Sequence, residues 1–378
     1  DVFGNGKTVE RAGAGMFFDL LGTRELVVAG FRMPPFFRRL MISTPAFPDL
    51  ATALSKSTVQ NSVDTLEYDP SQPYTGQFQF SVERQMGSES VIQVGYAGSR
   101  GLHLPGQYAN INTTRPQYQA DGSIFFPANT PAINPAFDQI GMRFMRQDSS
   151  YHAFQAALRG RLWRTLRMQA KFAWAKSIDT NSSAIYADFA ARMPAVFSSS
   201  QNRGPSDFAL KYTGALHFSY EIPSPRAGRL RYAAGGWEIH GMLQAQTGYP
   251  FSPLVGFDQA RLRESSLPSQ RPNLAAAPGA RIILGNPQRY FDPPAFSLPP
   301  AGFYGSLGRN ALRGPGLAVL NLAAHKNFRV SERSQLGFRA EMFNLTNHPN
   351  FQAPSDLLLF NSTGQRIGTA GRITATTT

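Results

Sequence analysis

A partial, antiparallel transmembrane β-barrel is the fold class that this sequence predicts, on three observations. The 378 residues include 29 Phe and 13 Tyr, and charged residues make up only 16%, a composition rich in strand formers and poor in helix formers. Segments of about ten residues alternate between apolar and polar side chains, as transmembrane strands do. The connections between these segments alternate between tight turns and long loops. An all-α fold is therefore not expected.

Nine strands are predicted, five of them from clear alternation. From Gln77 to Met86, glutamine, serine and glutamate side chains alternate with phenylalanine and valine, which leaves one face apolar. The other clear strands are Leu166–Ser177, Lys211–Ile222, Gly236–Thr247 and Gln335–Met342, and weaker alternation predicts strands at Lys7–Asp19, Val91–Ser99, Tyr151–Leu162 and Val319–Phe328. The polar faces of the strands are expected to line a wet interior.

The connections predict how the strands are arranged. Tight connections lie at 87–89, 163–165, 223–235 and 330–333, and the long ones are Leu20–Pro73, Arg100–Ser150, Ile178–Leu210 and Gly248–Ala318. Structureless loops of this size are unusual in a compact soluble domain, whereas short periplasmic turns and long extracellular loops are typical of bacterial outer-membrane barrels. The first strand is then expected to run outward, and a tenth strand only begins at Ile373–Thr378. Because spanning sheets tolerate no unpaired edges, we expect the sequence to be truncated at both ends.

The composition also argues against several classes of function. The sequence has no Cys, so disulfides, thiolate zinc sites and thiol catalysis are absent. The net charge is 37 − 24 = +13, but the basic residues are scattered over strands and loops. This scatter favours a solvated or lipopolysaccharide-facing surface over nucleic-acid binding. No apolar stretch approaches a spanning helix, and the N-terminus resembles no signal peptide.

Ten short sequence segments, which we call phrases, follow one another along almost the whole chain and resemble those of a known family. They are Ser81–Gly87, Val94–Leu104, Ser150–Gln155, Phe172–Asp179, Asn202–Phe208, Gly235–Glu238, Gln246–Phe251, Leu307–Asn310, Arg313–Gly316 and Arg339–Phe351. In amino-acid sequence and in order these phrases resemble segments of the Oar-like branch of the TonB-dependent receptors. Such a series is far more specific than any single motif.

The resemblance implies an outer-membrane barrel of about twenty-two strands with a plugged lumen, energised by the TonB complex through an N-terminal box and plug. Residues 1–378 are then the C-terminal part of the barrel, without the plug or the N-terminal regulatory-like domain. The implied location is the outer membrane of a Gram-negative-type bacterium. The implied partners are outer-membrane lipid and lipopolysaccharide, the TonB complex through the missing N-terminal region, and an unknown extracellular ligand, but no nucleic acid.

Candidate catalytic and metal-binding residues are few, and none forms a recognised motif. The six His never occur at H-x-x-x-H or H-E-x-x-H spacing. His217 and His240 lie on consecutive predicted strands in the polar phase, where lining the lumen is expected rather than metal ligation. The carboxylates Glu83, Glu221, Glu238 and Glu341 also have the polar phase, and we expect them to pair with Arg and Lys rather than to act as catalytic carboxylates. No catalytic residue, metal site or cofactor is predicted.

The remaining motifs have structural interpretations. The run Gly305–Gly316 lacks the phosphate-loop pattern and is interpreted as turn residues before a strand. Aromatic residues near strand ends suit interfacial girdles, namely Phe17, Phe18, Tyr74, Tyr96, Trp174, Tyr220 and Trp237. In the longest loop, Phe291, Phe303 and Tyr304 suit either ligand contact or ordinary packing. The ligand-binding residues remain unassigned.

The sequence and the resemblance together predict a receptor rather than an enzyme. The expected function is to bind a ligand at the extracellular loops and import it across the outer membrane. One alternative is an outer-membrane barrel with an adhesive, structural or protein-secretion role. A second alternative is a soluble all-β secreted binding module or enzyme, which would need no detergent.

Overall fold

A computed structural model of the chain describes most of its residues. The described residues are 4–20, 37, 39–41, 49–55, 58–60, 62–108, 110–182, 198–224, 235–263, 270–329, 331 and 333–377. Their dominant feature is one large sheet, from which long connections project at one end.

Nine long strands form the sheet, and each strand pairs antiparallel with its neighbour in the chain order of these nine. They are β1 (Thr8–Phe18), β2 (Tyr74–Met86), β3 (Ser90–Tyr108), β4 (Gln139–Trp163), β5 (Leu166–Asp179), β6 (Tyr212–Glu221), β7 (Trp237–Gln246), β8 (Leu317–Arg329) and β9 (Gln335–Met342). All nine predicted strands are thereby confirmed. In the described part of the chain the sheet is open, with β1 and β9 at its edges.

The connections alternate between short and long, as predicted. Residues 87–89 and 164–165 link β2 to β3 and β4 to β5, whereas residues 109–138 and 247–316 link β3 to β4 and β7 to β8. The short connections therefore lie at one end of the sheet and the long connections at the other. In an outer-membrane barrel these ends are the periplasmic and the extracellular ends.

The strand register separates apolar from polar side chains. Phe80, Tyr96, Phe154, Trp174 and Tyr212 lie opposite one another on five successive strands, and they form one aromatic row on what we call the apolar face. Neighbouring residues along each strand point to the other side, the polar face. Because a slip of one residue would exchange the two faces, this pattern defines the register.

The structure extends two strands beyond the predicted bounds. The predicted strands Val91–Ser99 and Tyr151–Leu162 continue into the long loop as β3 and β4, and β4 reaches 25 residues. The register between them shifts on either side of Leu104, and His103 has φ 56°. These bulges break the period-two pattern, so the extension carries no clear alternation in the sequence.

Short strands and helical turns lie in the connections at the extracellular end. The short strands are Arg39–Met41, Thr58–Gln60, Ser62–Leu66, Gln117–Tyr118, Ile124–Phe125, Gly204–Pro205, Pro250–Phe251, Asn273–Leu274, Ile283–Asn286, Arg289–Phe291, Phe296–Ser297 and Leu312–Arg313, and the helical turns are Leu50–Ser55, Ser199–Asn202 and the 3₁₀ turn Pro293–Ala295. Ser62–Leu66 pairs in parallel with β4, and Gly204–Pro205 pairs with β5. None of the helices in the described residues has the length and apolar character needed to cross a membrane.

The predicted start of a tenth strand at Ile373–Thr378 does not join the sheet within the described residues. Thr376 forms a single bridge with Phe351, and Ile373 is buried among loop residues; Thr378 lies outside the described residues. The apolar Ile373 side chain packs into the core formed by the long loops, which removes it from water.

Gly160 marks a close backbone approach near the periplasmic end of β4, and Gly160→Ala is expected to disrupt it. Gly160 has φ +141°, and a Cβ atom there would lie 2.2 Å from the Glu89 carbonyl oxygen. We expect a loss of about 2 kcal/mol or more, measured as a smaller fraction of heat-modifiable, folded protein in membranes. Gly214→Ala in β6 is the control, because its nearest neighbours would be 3.9 Å away. Equal folded fractions for the two variants would contradict the prediction.

Candidate functional site

The long extracellular connections fold together into a compact unit, which we call the loop cap. It comprises residues 110–138, 180–182, 198–211, 247–263, 270–316 and 343–377. Its main core consists of the buried residues Phe251, Val255, Tyr290, Phe291, Ala295, Phe296, Leu307, Leu312, Leu359, Phe360, Ala370 and Ile373. The loops are therefore packed, although the sequence predicted them as structureless.

Aromatic contacts organise this core. Phe291 is completely buried, and its ring centroid lies 5.8 Å from that of Phe251 and 5.9 Å from that of Phe296. The second contact is edge to face, a favoured geometry for aromatic pairs. A smaller cluster around Phe126 and Leu262 joins the β3–β4 loop to the β7–β8 loop. Apolar residues far apart in sequence thus hold the cap together.

An ion-pair network attaches the loop cap to the upper end of β5. The Arg309 guanidinium contacts the carboxylate of Asp179, the last residue of β5, and its Nη1 lies 3.3 Å from Asp207 Oδ1. The Arg309 and Asp179 side chains are only 13% and 4% exposed. Asn310 Nδ2 donates to the Pro205 carbonyl oxygen at 2.8 Å. Partners from the end of β5 and from two separate loop segments therefore meet at the barrel rim.

Burial affects the titration of two arginines in the cap. Desolvation lowers the pKa of Arg309 to about 10, and it also lowers the pKa of Arg271 to about 10. Arg271 Nε donates to the Leu307 carbonyl oxygen at 2.8 Å, and its guanidinium also donates to the Gln201 carbonyl oxygen. Both arginines remain charged at neutral pH. Both side chains tie loops together, because Arg271 Nε and both Nη atoms of Arg309 are directed at protein acceptors.

The polar face of the sheet holds a groove of about 920 Å³. Arg159, Arg161, Arg167, His217 and His240 line it together with two glutamates and with neutral polar and apolar residues. Arg161 lies directly opposite Arg167 across the β4–β5 pair, an arrangement that is unfavourable for like charges unless an anionic group lies near them. The groove thus places three arginines and two glutamates on the side of the sheet that faces a barrel interior.

Carboxylates at the edges of the groove compensate part of this charge. Glu89 Oε2 lies 3.3 Å from Arg161 Nη1, and Glu83 contacts Arg11 and lies 3.9 Å from Arg159. These pairs are partly exposed, so each contributes little to stability.

The structure brings some of the sequence-predicted residues together. His217 and His240 line the same groove, as predicted for lumenal neighbours. Glu83 and Glu341 pair with arginines, which confirms the expected pairing. Glu238 instead lies 3.5 Å from His240 and opposite Glu221 in the register. Among the residues that the structure describes, no three His, Asp or Glu side chains are grouped as metal ligands.

The structure also places the predicted loop and girdle residues. Phe291 belongs to the buried core, so it cannot contact a ligand, whereas Phe303 and Tyr304 are half-buried against Phe125 and Phe126. Gly305–Gly316 leads through turns into β8, as predicted.

Of the girdle residues, Phe18 pairs with Tyr74 on the apolar face, but Phe17 pairs with Thr75 and takes the polar face. The prediction for Phe17 is wrong because successive strand residues alternate between faces.

Sequence reasoning missed the residues that give the cap its surface and its attachment. Tyr118, Phe208 and Tyr249 are exposed aromatic side chains on the cap, 69%, 61% and 47% accessible respectively. Arg309 lies in a glycine-rich run interpreted as turns and in one segment of the family resemblance, and neither indicated that its side chain is buried in an ion pair. A charged residue within such a run is the one signal that could have indicated a buried ion pair.

Comparisons with known proteins assign the chain to a family. The sequence profile of the family described as "Outer membrane beta barrel domain" matches residues 1–378. No curated protein sequence matches the chain. The chain is similar to the solved structure of the outer membrane transporter YddB from Escherichia coli, with a TM-score of 0.45 and 11% identity over 97% of this chain and 37% of that one.

A second similar structure is the closed form of the ferric-catecholate import receptor Fiu from K12 E. coli. Its TM-score is 0.38 and its identity is 8%, over 95% of this chain and 31% of that one. The chain thus spans about a third of the length of either solved structure, and the family match carries the assignment. The sheet, its turns and its two faces fit a protein located in the outer membrane. The chain belongs to the outer membrane beta-barrel domain family.

Proposed function

We propose that the chain is the barrel part of a TonB-dependent receptor of the Oar-like branch, which binds a ligand at its loop cap and imports it. The observation that carries the proposal is the network at the barrel rim. Asp179, Asp207, Arg309 and Arg313 belong to four different phrases of the sequence resemblance. Arg309 contacts both Asp179 at the rim and Asp207 in the cap, and Arg313 donates to the Ala209 carbonyl oxygen beside them. Segments that carry the sequence resemblance therefore meet at one place in this structure, which supports the proposal.

Residues of two further phrases, Gly248 and Asn350, make hydrogen bonds in the same region. Arg313 Nη1 donates to the carbonyl oxygen of Gly248 at 3.2 Å, and Asn350 Oδ1 accepts from the backbone N–H of Ala318 at 2.7 Å. Gly248 follows β7, and Ala318 lies in β8. The phrases typical of the family thus occupy the junction at which extracellular loops enter the barrel wall. A receptor needs this junction to be rigid, since its binding surface must be held above the pore.

The loop cap supports the binding part of the proposal. Its packed core holds the loops in one arrangement, so a ligand would meet a preformed surface and lose less affinity to ordering. The exposed rings of Tyr118, Phe208 and Tyr249 offer amphipathic contacts on that surface. The groove on the polar face supports the transport part, because it gives the interior a polar, charged lining. No catalytic step is part of the proposal.

Binding of TonB by the full-length gene product tests the proposal. The protein is purified in detergent, its folded state is verified by heat-modifiable migration, and retention of a purified periplasmic TonB domain is measured. We expect saturable binding that is lost when the segment preceding residue 1 is removed. A folded full-length protein that retains no TonB would overturn the proposal and favour the adhesive, structural or secretion role. The soluble secreted module is already inconsistent with membership of an outer-membrane barrel family.

A further inference from the structure

Another pocket lies on the polar face, toward the extracellular ends of β1 to β4. Its volume is about 510 Å³, and Phe17, Gln77, Gln79, Ser99 and Tyr151 line it. Gln77, Ser99 and Tyr151 lie opposite one another on three successive strands. Because the polar face lines the interior of a barrel, we call this pocket the outer lumenal pocket.

The lining of the outer lumenal pocket is uncharged. Among the described residues that form it, none is acidic, basic or a histidine. Charged side chains occupy the polar face further toward the periplasmic end, where Arg11 contacts Glu83. An ionised ligand would lose hydration in the pocket and gain no opposite charge in return. The pocket therefore favours an uncharged ligand.

Phe17 gives the pocket a flat apolar surface. Its ring lies over the backbone of Gly15, since a Cβ atom at Gly15 would be 3.3 Å from Phe17 Cε2. The side chain is 58% exposed on a face that is otherwise polar. Covering the ring with an apolar group would remove its surface from water. The C–H groups on one face of a sugar ring suit this position, because the face of an aromatic ring carries partial negative charge.

Two glutamine amides lie beside this ring. Gln77 lies opposite Gly15, and Gln79 lies opposite Gly13, so β1 presents no side chain against either amide. Both glutamines are exposed. A glutamine amide donates two hydrogen bonds and accepts others, and a hydroxyl group also both donates and accepts. The two amides can therefore bind the neighbouring hydroxyl groups of a sugar.

We propose that the outer lumenal pocket binds a neutral oligosaccharide, with one sugar ring stacked on Phe17 and its hydroxyl groups bonded to Gln77 and Gln79. The uncharged lining, the exposed ring and the paired amides all match this ligand. The volume is also in the range of about 300–1,000 Å³ that is typical of ligand pockets. The inference rests on the proposed receptor function and names the class of ligand that the receptor takes.

An array of oligosaccharides tests the proposal with the full-length protein, purified in a detergent without a sugar headgroup. The array carries neutral oligosaccharides and oligosaccharides of uronic acids, which have the same kind of ring but bear carboxylates. We expect the protein to bind at least one neutral oligosaccharide and to bind its uronic-acid counterpart about tenfold more weakly or not at all. This comparison uses the unaltered protein and needs no variant.

Phe17→Ala tests the stacking surface. Isothermal titration calorimetry should show about tenfold weaker binding of the neutral oligosaccharide, because the variant lacks the aromatic ring. Phe18→Ala is the matched control, since Phe18 is adjacent and 63% exposed but pairs with Tyr74 on the apolar face. Its affinity should equal that of the unaltered protein. Heat-modifiable migration verifies that both variants are folded.

Three outcomes would overturn the site. The folded protein could bind no neutral oligosaccharide, it could bind the uronic-acid forms equally well, or folded Phe17→Ala could bind as tightly as Phe18→Ala. Retention of TonB by the same preparation separates this inference from the proposed function. A protein that retains TonB but binds no neutral oligosaccharide contradicts only the pocket, whereas one that binds the oligosaccharide but retains no TonB supports the pocket and contradicts the receptor function.

Discussion

Replacing Arg309 with Ala should release the loop cap from the barrel rim. The change would leave the Asp179 carboxylate, which is 4% exposed, without its cationic partner. Removal of one member of a buried ion pair typically costs about 3–5 kcal/mol, because the remaining charge stays desolvated. We expect faster amide hydrogen exchange in residues 198–211 and 307–313, while exchange in β5 below the rim is unchanged. Hydrogen-exchange mass spectrometry of the full-length protein measures both regions.

Arg289→Ala provides the control for this prediction. Arg289 also contacts a carboxylate in the cap, that of Asp292, but the two side chains are 50% and 31% exposed. An exposed pair of this kind contributes about 0–1 kcal/mol, so exchange in the cap should hardly change. If the two variants gave the same exchange rates, the Arg309 pair would have no special role in attaching the cap.

Phe291→Ala should unfold the core of the loop cap and leave the barrel intact. Phe291 is fully buried and packs against Phe251 and Phe296. Truncation of a buried phenylalanine costs about 3–5 kcal/mol, which is large for a core built from short elements. We expect rapid limited proteolysis within residues 247–316, while heat-modifiable migration still reports a folded barrel.

Leu274→Ala is the comparison for Phe291→Ala. Leu274 belongs to the same loop but is 47% exposed, so its truncation removes little buried apolar surface. Its proteolysis pattern should match that of the unaltered protein. Loss of the barrel itself in Phe291→Ala would contradict the separation between cap and barrel.

The nine strands were predictable because the membrane imposes a simple pattern on them. In β2, each residue between Gln77 and Gln85 faces either lipid or a wet interior, so alternation in sequence reports the strand directly. Beyond the membrane the two faces of a strand no longer need to differ, so the predicted strands stop there. Gly101 and Leu104 flank bulges that shift the β3–β4 register. The extracellular parts of these two strands were therefore predicted as loop.

The loop cap could not be predicted, for a different physical reason. Its core joins Phe251 to Leu359 and Ile373, contacts that span more than a hundred residues and follow no period. Arg309 and Asp179 are likewise far apart in sequence. Such pairs depend on the sheet first bringing the ends of distant strands together. The family resemblance located the phrases that contain these residues but did not indicate that they touch.

The length of β4 gives the cap a support at its side. Its 25 residues rise by roughly 60 Å at the usual strand rise and tilt, of which about 25 Å is apolar band. Ser149 of β4 lies opposite Asp179 at the rim, so the wall beyond it, paired with β3 and with the parallel strand Ser62–Leu66, rises about 25 Å beside the cap. The backbone N–H of Ile140 in this wall donates to Asn110 of the cap. A large particle that docks on the cap would therefore press on a surface that is braced from the side as well as from below.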